Sequence, residues 1–403
     1  MAPTTVQQVL LSPAELSYLH TSLTLTPPIR PDSRLPQQFR PLSAETDILP
    51  GTNGSARITF ADGTEAIVGI KAEVEKSSQK YSGYTSRTED TGHVRDDEES
   101  RYGDNKWLEM SIEVPGFRDD DAMPVLLTSV LTEALLADSS FTRRLWINRR
   151  FHWKLYIDVG ISESITYWLK LTLSQVLLLS PPLSYPLPLL SLTTYLALLS
   201  TRLPRLKSEK DEDPLFDDDW DASVPLYPRS ALSTPSAASD AQAKPQTFTS
   251  RPPITLLVMS CGENILFDPS KEELSVADVV LAISIASLPS SSKDNEGDEA
   301  MDVDSEEPKR ALRLLSVRTI DPPSRLTPPG VPNYLNTATG GHADASSVEA
   351  TSAAGEVEAE GVWHAPRGGA KRKLVSRMVA AALAEGGVAD EVLDGLEGVD
   401  VGM

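Results

Sequence analysis

The chain has 403 residues and a single cysteine, Cys261, which excludes an internal disulfide and a cysteine-rich zinc site. Its formal net charge is −21. A surface that negative repels phosphates, so any nucleic-acid contact has to use a local basic patch or a partner's charge. The length permits two or three domains and 40% hydrophobic residues suit a buried core, while 31 prolines and several Ser/Asp/Glu tracts imply unfolded stretches. Residues 1–11 lack the basic start and apolar core of a signal peptide, and with one cysteine an intracellular, reducing compartment is expected.

In chain order, Ser12–Pro13–Ala14–Glu15 has the spacing of a capping box, with Leu16, Leu19 and Leu23 on one face of the helix that follows. Then come Ile29–Arg30–Pro31–Asp32–Ser33–Arg34 and Phe39–Arg40. Residues 51–74 predict two strands around the turn Asp62–Gly63, where glycine accepts positive φ. Residues 76–106 are polar and nearly free of aliphatic side chains, and read as a loop. Residues 119–138 predict the clearest helix, with Met123, Leu126, Leu127, Val130, Ala134 and Leu135 at helical spacing and three aspartates at its positive end.

Residues 145–159 alternate like a strand. Residues 171–201 carry no charge at all. A membrane helix needs roughly 20 apolar residues, but Pro181, Pro182, Pro186 and Pro188 interrupt this stretch. The acidic run 207–221 and the Pro/Ser/Ala-rich run 222–253 read together as a linker. Residues 254–260 and 264–268 predict a strand pair flanking Cys261–Gly262–Glu263. Residues 277–287 and 311–320 predict a further antiparallel pair, separated by the acidic tract 290–308. Residues 331–360 are poor in large apolar side chains, and a last helix is expected over 371–385 with Leu374, Met378 and Ala382 on one side.

Chemistry-bearing motifs are few. His20, His93, His152, His342 and His364 lie far apart, and none stands at metal-ligand spacing from a cysteine or carboxylate. There is no Walker-type loop, no dinucleotide fingerprint and no nucleophile elbow. No catalytic residue, metal site or cofactor is therefore assigned. The densest arginine cluster is Arg143, Arg144, Arg149 and Arg150 around Leu145–Trp146–Ile147–Asn148. Guanidinium forks suit phosphates, and the competing reading is a solvated loop paired with the chain's own acids. Lys371–Arg372–Lys373 forms a second basic group, a weak nuclear-import signal or a solvated helix start.

The segments from Ile29 to Arg40 and from Gly51 to Val74 resemble the opening hairpin of the RNase PH family, in its exosome ring branch. Leu199–Ser200–Thr201–Arg202–Leu203–Pro204–Arg205–Leu206 resembles the family's helix ending, and Asp268–Pro269 with Glu272 and Glu273 a family pattern after the second hairpin, read as structural. The resemblance implies an α+β fold with mixed sheets packed on helices, the ribosomal protein S5 domain 2-like arrangement, carrying disordered polar insertions. It divides the chain into a first half (1–206), a linker (207–250) and a second half (251–403), with loops at 76–106 and 290–308, a flexible segment at 331–365 and an insertion at 160–175 whose proposed origin is a retained intron.

By the same resemblance, active members cleave RNA from its 3′ end with inorganic phosphate, held by a Gly-(Thr/Ser)-Arg element at a helix start. The matching residues here, 180–193, contain no Arg, Lys or Gly. The implied role is a non-catalytic structural subunit of the RNA exosome ring in nucleus, nucleolus and cytoplasm. Its implied partners are paralogous RNase PH-like subunits, S1/KH cap subunits, a catalytic ribonuclease and RNA, with no membrane. Arg143, Arg144, Arg149 and Arg150 would face RNA. The rival readings are a phosphorolytic exoribonuclease and a protein anchored in a membrane by 171–199.

Overall fold

A computed structural model of the chain describes residues 11–77, 103–114, 117, 118, 120–162, 184–208, 212–228, 251–288, 311–320 and 370–400. The chain forms two compact units, each assembled from separated segments: Met1–Arg40, Leu256–Ile283 and Val317–Ala389 in one, Pro41–Thr255, Ser284–Ser316 and Asp390–Met403 in the other. The segments 78–102, 163–183, 229–250, 289–310 and 321–369, which contain most of the loop expected over 76–106, the segments expected over 290–308 and 331–365 and most of the expected insertion, lie outside the described residues; of the first loop, Lys76 ends a strand and Asn105–Lys106 begin a single helical turn.

The larger unit is built on a five-stranded sheet. Its strands are β1 (Leu42–Thr46), β2 (Gly54–Phe60), β3 (Glu65–Lys76), β4 (Leu108–Glu113) and β5 (Phe151–Ser162), in the order β1-β2-β3-β5-β4. β2 and β3 form the expected hairpin: Gly63 sits at φ +84°, and the Thr64 amide donates to Asp62 Oδ1 at 2.9 Å. β3 pairs antiparallel with β5, whereas β4 runs parallel to β5, with Met110 opposite Ile157. The two-residue side-chain period puts Ala56, Ile58, Phe60, Ala66, Val68, Ile70, Leu155, Ile157 and Val159 into the core.

A parallel pair needs a crossover, and α2 (Ala122–Leu136) lies within it. Leu127, Val130, Leu131, Ala134 and Leu135 are buried, while Met123 and Leu126, expected to face inward, are half-buried. β5 starts at Phe151, six residues later than the strand expected over 145–159. Its end at Ser162, opposite Glu65, puts the first three residues of the expected insertion in strand.

The described end of the uncharged stretch is a helix, α4 (Leu187–Ser200), and every one of its 14 residues is buried. Such all-round hydrophobicity belongs to a helix enclosed by protein, and α4 packs on β1, β2 and β3. Its hydroxyls are absorbed locally: Thr193 and Thr194 donate to the carbonyls of Leu189 and Leu190 at 2.7 and 2.8 Å. Among the described residues no helix is long and apolar enough to cross a membrane.

Part of the stretch expected to be linker is built into this unit. β6 (Arg202–Leu203) pairs antiparallel with β7 (Val224–Pro225), Leu206 bridges Phe216, and Leu226 and Tyr227 are buried. Composition hid this, because a few apolar anchors stand among many acids and prolines. A short helix α3 (Ser139–Arg144) precedes the arginine loop.

In the smaller unit, α1 (Pro13–Thr24) begins with the expected capping box. The Glu15 amide donates to Ser12 Oγ at 3.3 Å and the Ser12 amide to Glu15 Oε2 at 2.7 Å. Leu19 and Leu23 pack against Met259, Cys261, Leu266 and Val276. A second sheet, whose strands belong to the smaller unit over Leu256–Ile283 and from Val317 on, has the order β11-β10-β8-β9, formed by β8 (Ile254–Cys261), β9 (Asn264–Phe267), β10 (Val279–Leu288) and β11 (Ala311–Thr319). Gly262 turns β8 into β9 at φ +60°. α5 (Lys271–Leu274) carries a capping box of its own, Ser270 with Glu273. α6 (Arg372–Ala382) buries Met378 and Ala382. A further helix, α7 (Val388–Glu397), whose residues from Asp390 on belong to the larger unit, was not expected. Its buried Val388, Ala389, Val392, Leu393 and Leu396 follow helical spacing, a pattern obscured by the surrounding glycines and acids.

The arginines that open the chain's most distinctive segment are interior. Arg30 makes a two-pronged contact with Glu273, Nε to Oε1 and Nη2 to Oε2, both 2.8 Å, and also donates to the carbonyls of Phe267 and Asp268. Arg34 and Arg40 converge on the Asp268 carboxylate at 3.0 and 2.6–2.7 Å. Arg30 and Glu273 side chains are fully buried and Asp268 is 1% exposed. Asp268 ends β9 at φ +47°, as its structural reading required. Its two-arginine partnership was not foreseen, since it joins positions more than 200 residues apart.

Candidate nucleic-acid interface

The expected arginine cluster spans the last turn of α3 and the loop that follows it. Asp138 caps α3, accepting from the Ser140 amide at 3.3 Å, and Arg143 and Arg144 occupy the last turn, where the helix dipole favours cations. The loop closes on Asn148, which is 3% exposed. Its Oδ1 accepts from the amides of Arg150 and Phe151 at 2.9 and 2.8 Å, and its Nδ2 donates to the Glu212 carbonyl at 3.0 Å. This side chain takes donors that a strand would pair with a neighbour, so β5 begins only at Phe151. The Trp153 amide then returns to the Leu145 carbonyl at 2.7 Å.

The four arginines do not share one environment. Arg143, Arg149 and Arg150 are exposed. Arg144 turns inward: its Nη1 donates to the Leu226 carbonyl at 2.8 Å, and its guanidinium carbon lies 4.2 Å from the centre of the Tyr227 ring. Burial lowers its pKa, against the opposing pull of Tyr227 and Asp138, and an arginine stays charged all the same. Arg150 Nη2 pairs with Asp213 Oδ1 at 3.1 Å. Asn148 and Tyr227 are the residues that sequence reasoning missed here. An asparagine amid arginines is a signal for a side-chain-closed turn; nothing local marks Tyr227.

The helix start that the resemblance matched to a phosphate-holding element is different in kind. α4 begins at Leu187 after Pro186, which offers no side-chain cap, and Ser184 and Leu187 are buried. The described residues 184–193 present no cation and no glycine. Other reactive groups are equally committed. Burial pushes the Cys261 thiol up to about 12, so it is not a thiolate at neutral pH. His152 is stacked on Trp107 at 4.4 Å, with Nδ1 3.0 Å from Ser77 Oγ. Among the described residues no group of three or more His, Cys, Asp or Glu could hold a metal.

A mixed five-stranded sheet enclosing an apolar helix, joined to a second sheet-and-helix unit, defines an RNase PH-type α+β protein, and the chain belongs to the RNase PH family. The family model for the 3′ exoribonuclease family, domain 1, matches residues 38–204. The chain is 32% identical over 280 residues to "Exosome complex component RRP42" of Saccharomyces cerevisiae, covering 68% of this chain and 81% of that protein. It is 30% identical over 289 residues to "Exosome complex component rrp42" of Schizosaccharomyces pombe, covering 68% and 78%. A solved structure titled "Archaeal exosome core" aligns with a TM-score of 0.42 and 16% identity, over 76% of this chain and 84% of that one.

Proposed function

We propose that the protein is a non-catalytic structural subunit of an RNA exosome ring, supporting 3′-to-5′ processing and decay of RNA, rRNA maturation included. The observation that carries this reading is the contrast between two places in one unit. The helix start that would hold phosphate is buried and has neither cation nor glycine in its described residues, whereas three arginines stand exposed at the end of α3 and on the loop after it, in a strongly acidic chain. Phosphorolysis needs a preorganised cradle for its nucleophile; guiding RNA needs only a local positive surface. The yeast relatives, by their names, support the assignment to an exosome.

On this reading Arg143, Arg149 and Arg150 meet RNA phosphates, and Arg144 positions the loop from behind. The partners are paralogous RNase PH-like subunits, S1/KH cap subunits and a separate catalytic ribonuclease, and the protein works in nucleus, nucleolus and cytoplasm. The test is affinity purification of the tagged full-length protein from its host, followed by incubation of the pure chain with RNA and inorganic phosphate. Stoichiometric recovery of RNase PH-like subunits with no release of nucleoside diphosphates is expected. Release by the pure chain, lost on omitting phosphate, would overturn the non-catalytic assignment.

A further inference from the structure

Beside the arginine loop lies the segment Glu212–Asp221, with six acidic residues and no basic one among its ten. It is held there by contacts that do not depend on charge. The Phe216 ring packs on Trp153 with centroids 4.9 Å apart, the Lys207 amide donates to the Leu215 carbonyl at 2.8 Å, and the Asp217 amide to the Arg205 carbonyl at 2.9 Å. Asn148, the residue that closes the arginine loop, donates to the Glu212 carbonyl at 3.0 Å. The same side chain thus shapes the loop and fastens the acids to it.

The acids divide by role. Asp217 pairs with Lys207 at 2.8 Å and Asp219 caps the turn at Asp221. Asp213 pairs with Arg150, and Asp218 and Asp221 are exposed. The Asp213–Arg150 pair is open to solvent, with side chains 80% and 52% exposed. A pair so exposed adds little to folding, and the apolar and backbone anchors hold the segment without it. An incoming phosphate can therefore displace Asp213 from Arg150 but cannot displace the segment. Asp213 then stays beside the loop, because the segment's own anchors hold it, and its carboxylate acts on a phosphate at Arg150 across the roughly 8–10 Å over which charges interact at ordinary salt.

We propose that Glu212–Asp221 is a built-in acidic counter-surface that lowers the affinity of the arginine loop for RNA. The loop then acts as a sliding contact for a passing strand rather than an anchor. The proposal rests on the reading that this loop meets RNA, and it adds Asp213 as the residue that sets how tightly.

The experiment measures binding of a fluorescein-labelled oligoadenylate to the full-length chain by fluorescence anisotropy across a salt series. Asp213→Asn is expected to tighten binding about two- to fivefold at low salt. Asp213→Glu, which keeps the charge, is expected to match the unaltered chain, and the triple change Asp213→Asn, Asp218→Asn, Asp221→Asn to tighten binding further. If the asparagine variants bind as the unaltered chain does while Arg149→Glu with Arg150→Glu weakens binding, the counter-surface is overturned and the RNA-facing loop stands. If the arginine reversals also change nothing, the loop is not an RNA contact and both readings fall.

Discussion

Arg30 and Glu273 meet through two 2.8 Å contacts with both side chains out of solvent. Removing one partner from such a pair leaves an uncompensated buried charge, which costs about 3–5 kcal/mol. Arg30→Met should therefore lower the urea midpoint of the full chain by that equivalent, and the double change Arg30→Met with Glu273→Leu should recover much of it. His152 is a second residue with a definite expectation. Burial, outweighing the pull of Glu75, lowers its pKa from the ordinary 6.5, so below about pH 6.5 the unfolded chain binds more protons than the folded one. Its contribution to stability is complete above that pH and is lost as pH falls through the depressed folded value. Thermal melts over about pH 5–7 should show this slope, and His152→Phe, which preserves stacking on Trp107, should flatten it.

Two glycines separate the demands of element and packing. A Cβ on Gly54 would stand 2.6 Å from Thr201 Cα and 2.7 Å from its nitrogen, where β2 meets the end of α4. On Gly63 it would meet nothing within 4 Å, and only the φ of +84° opposes it. Gly54→Ala should thus cost on the order of 1–3 kcal/mol, like an overpacked core, and Gly63→Ala about 1 kcal/mol; equal melting temperatures would contradict the steric argument. The second position was legible, because Asp62–Gly63 is a local turn signal. The first was not, because its reason lies almost 150 residues away. The same distinction explains the capping box at Ser12, visible within four residues, and the start of β5 at Phe151. Alternation over 145–150 matches a strand, but the Asn148 side chain claims the Arg150 and Phe151 amides.

At the scale of the molecule the net charge of −21 sets the background. Self-repulsion of that size opposes the compact state. Raising NaCl from about 0.05 to 0.5 M shortens the screening length severalfold and should raise the melting temperature; a fall would mean that attractive surface pairs outweigh the repulsion. Composition and periodicity determined the acidic class, the opening helix and both hairpins, because these depend on neighbours within a few residues, while the α+β class came with the family resemblance. The arginine cluster was equally plain in sequence. Only the tertiary structure decided that Arg144 belongs to the interior, that part of the supposed linker packs beside the arginine loop, and that Arg30, Arg34 and Arg40 are spent on Asp268 and Glu273. Each of those outcomes is a pairing between groups far apart along the chain. A buried charge selects its partner by proximity in the folded state, where desolvation makes the choice costly to avoid.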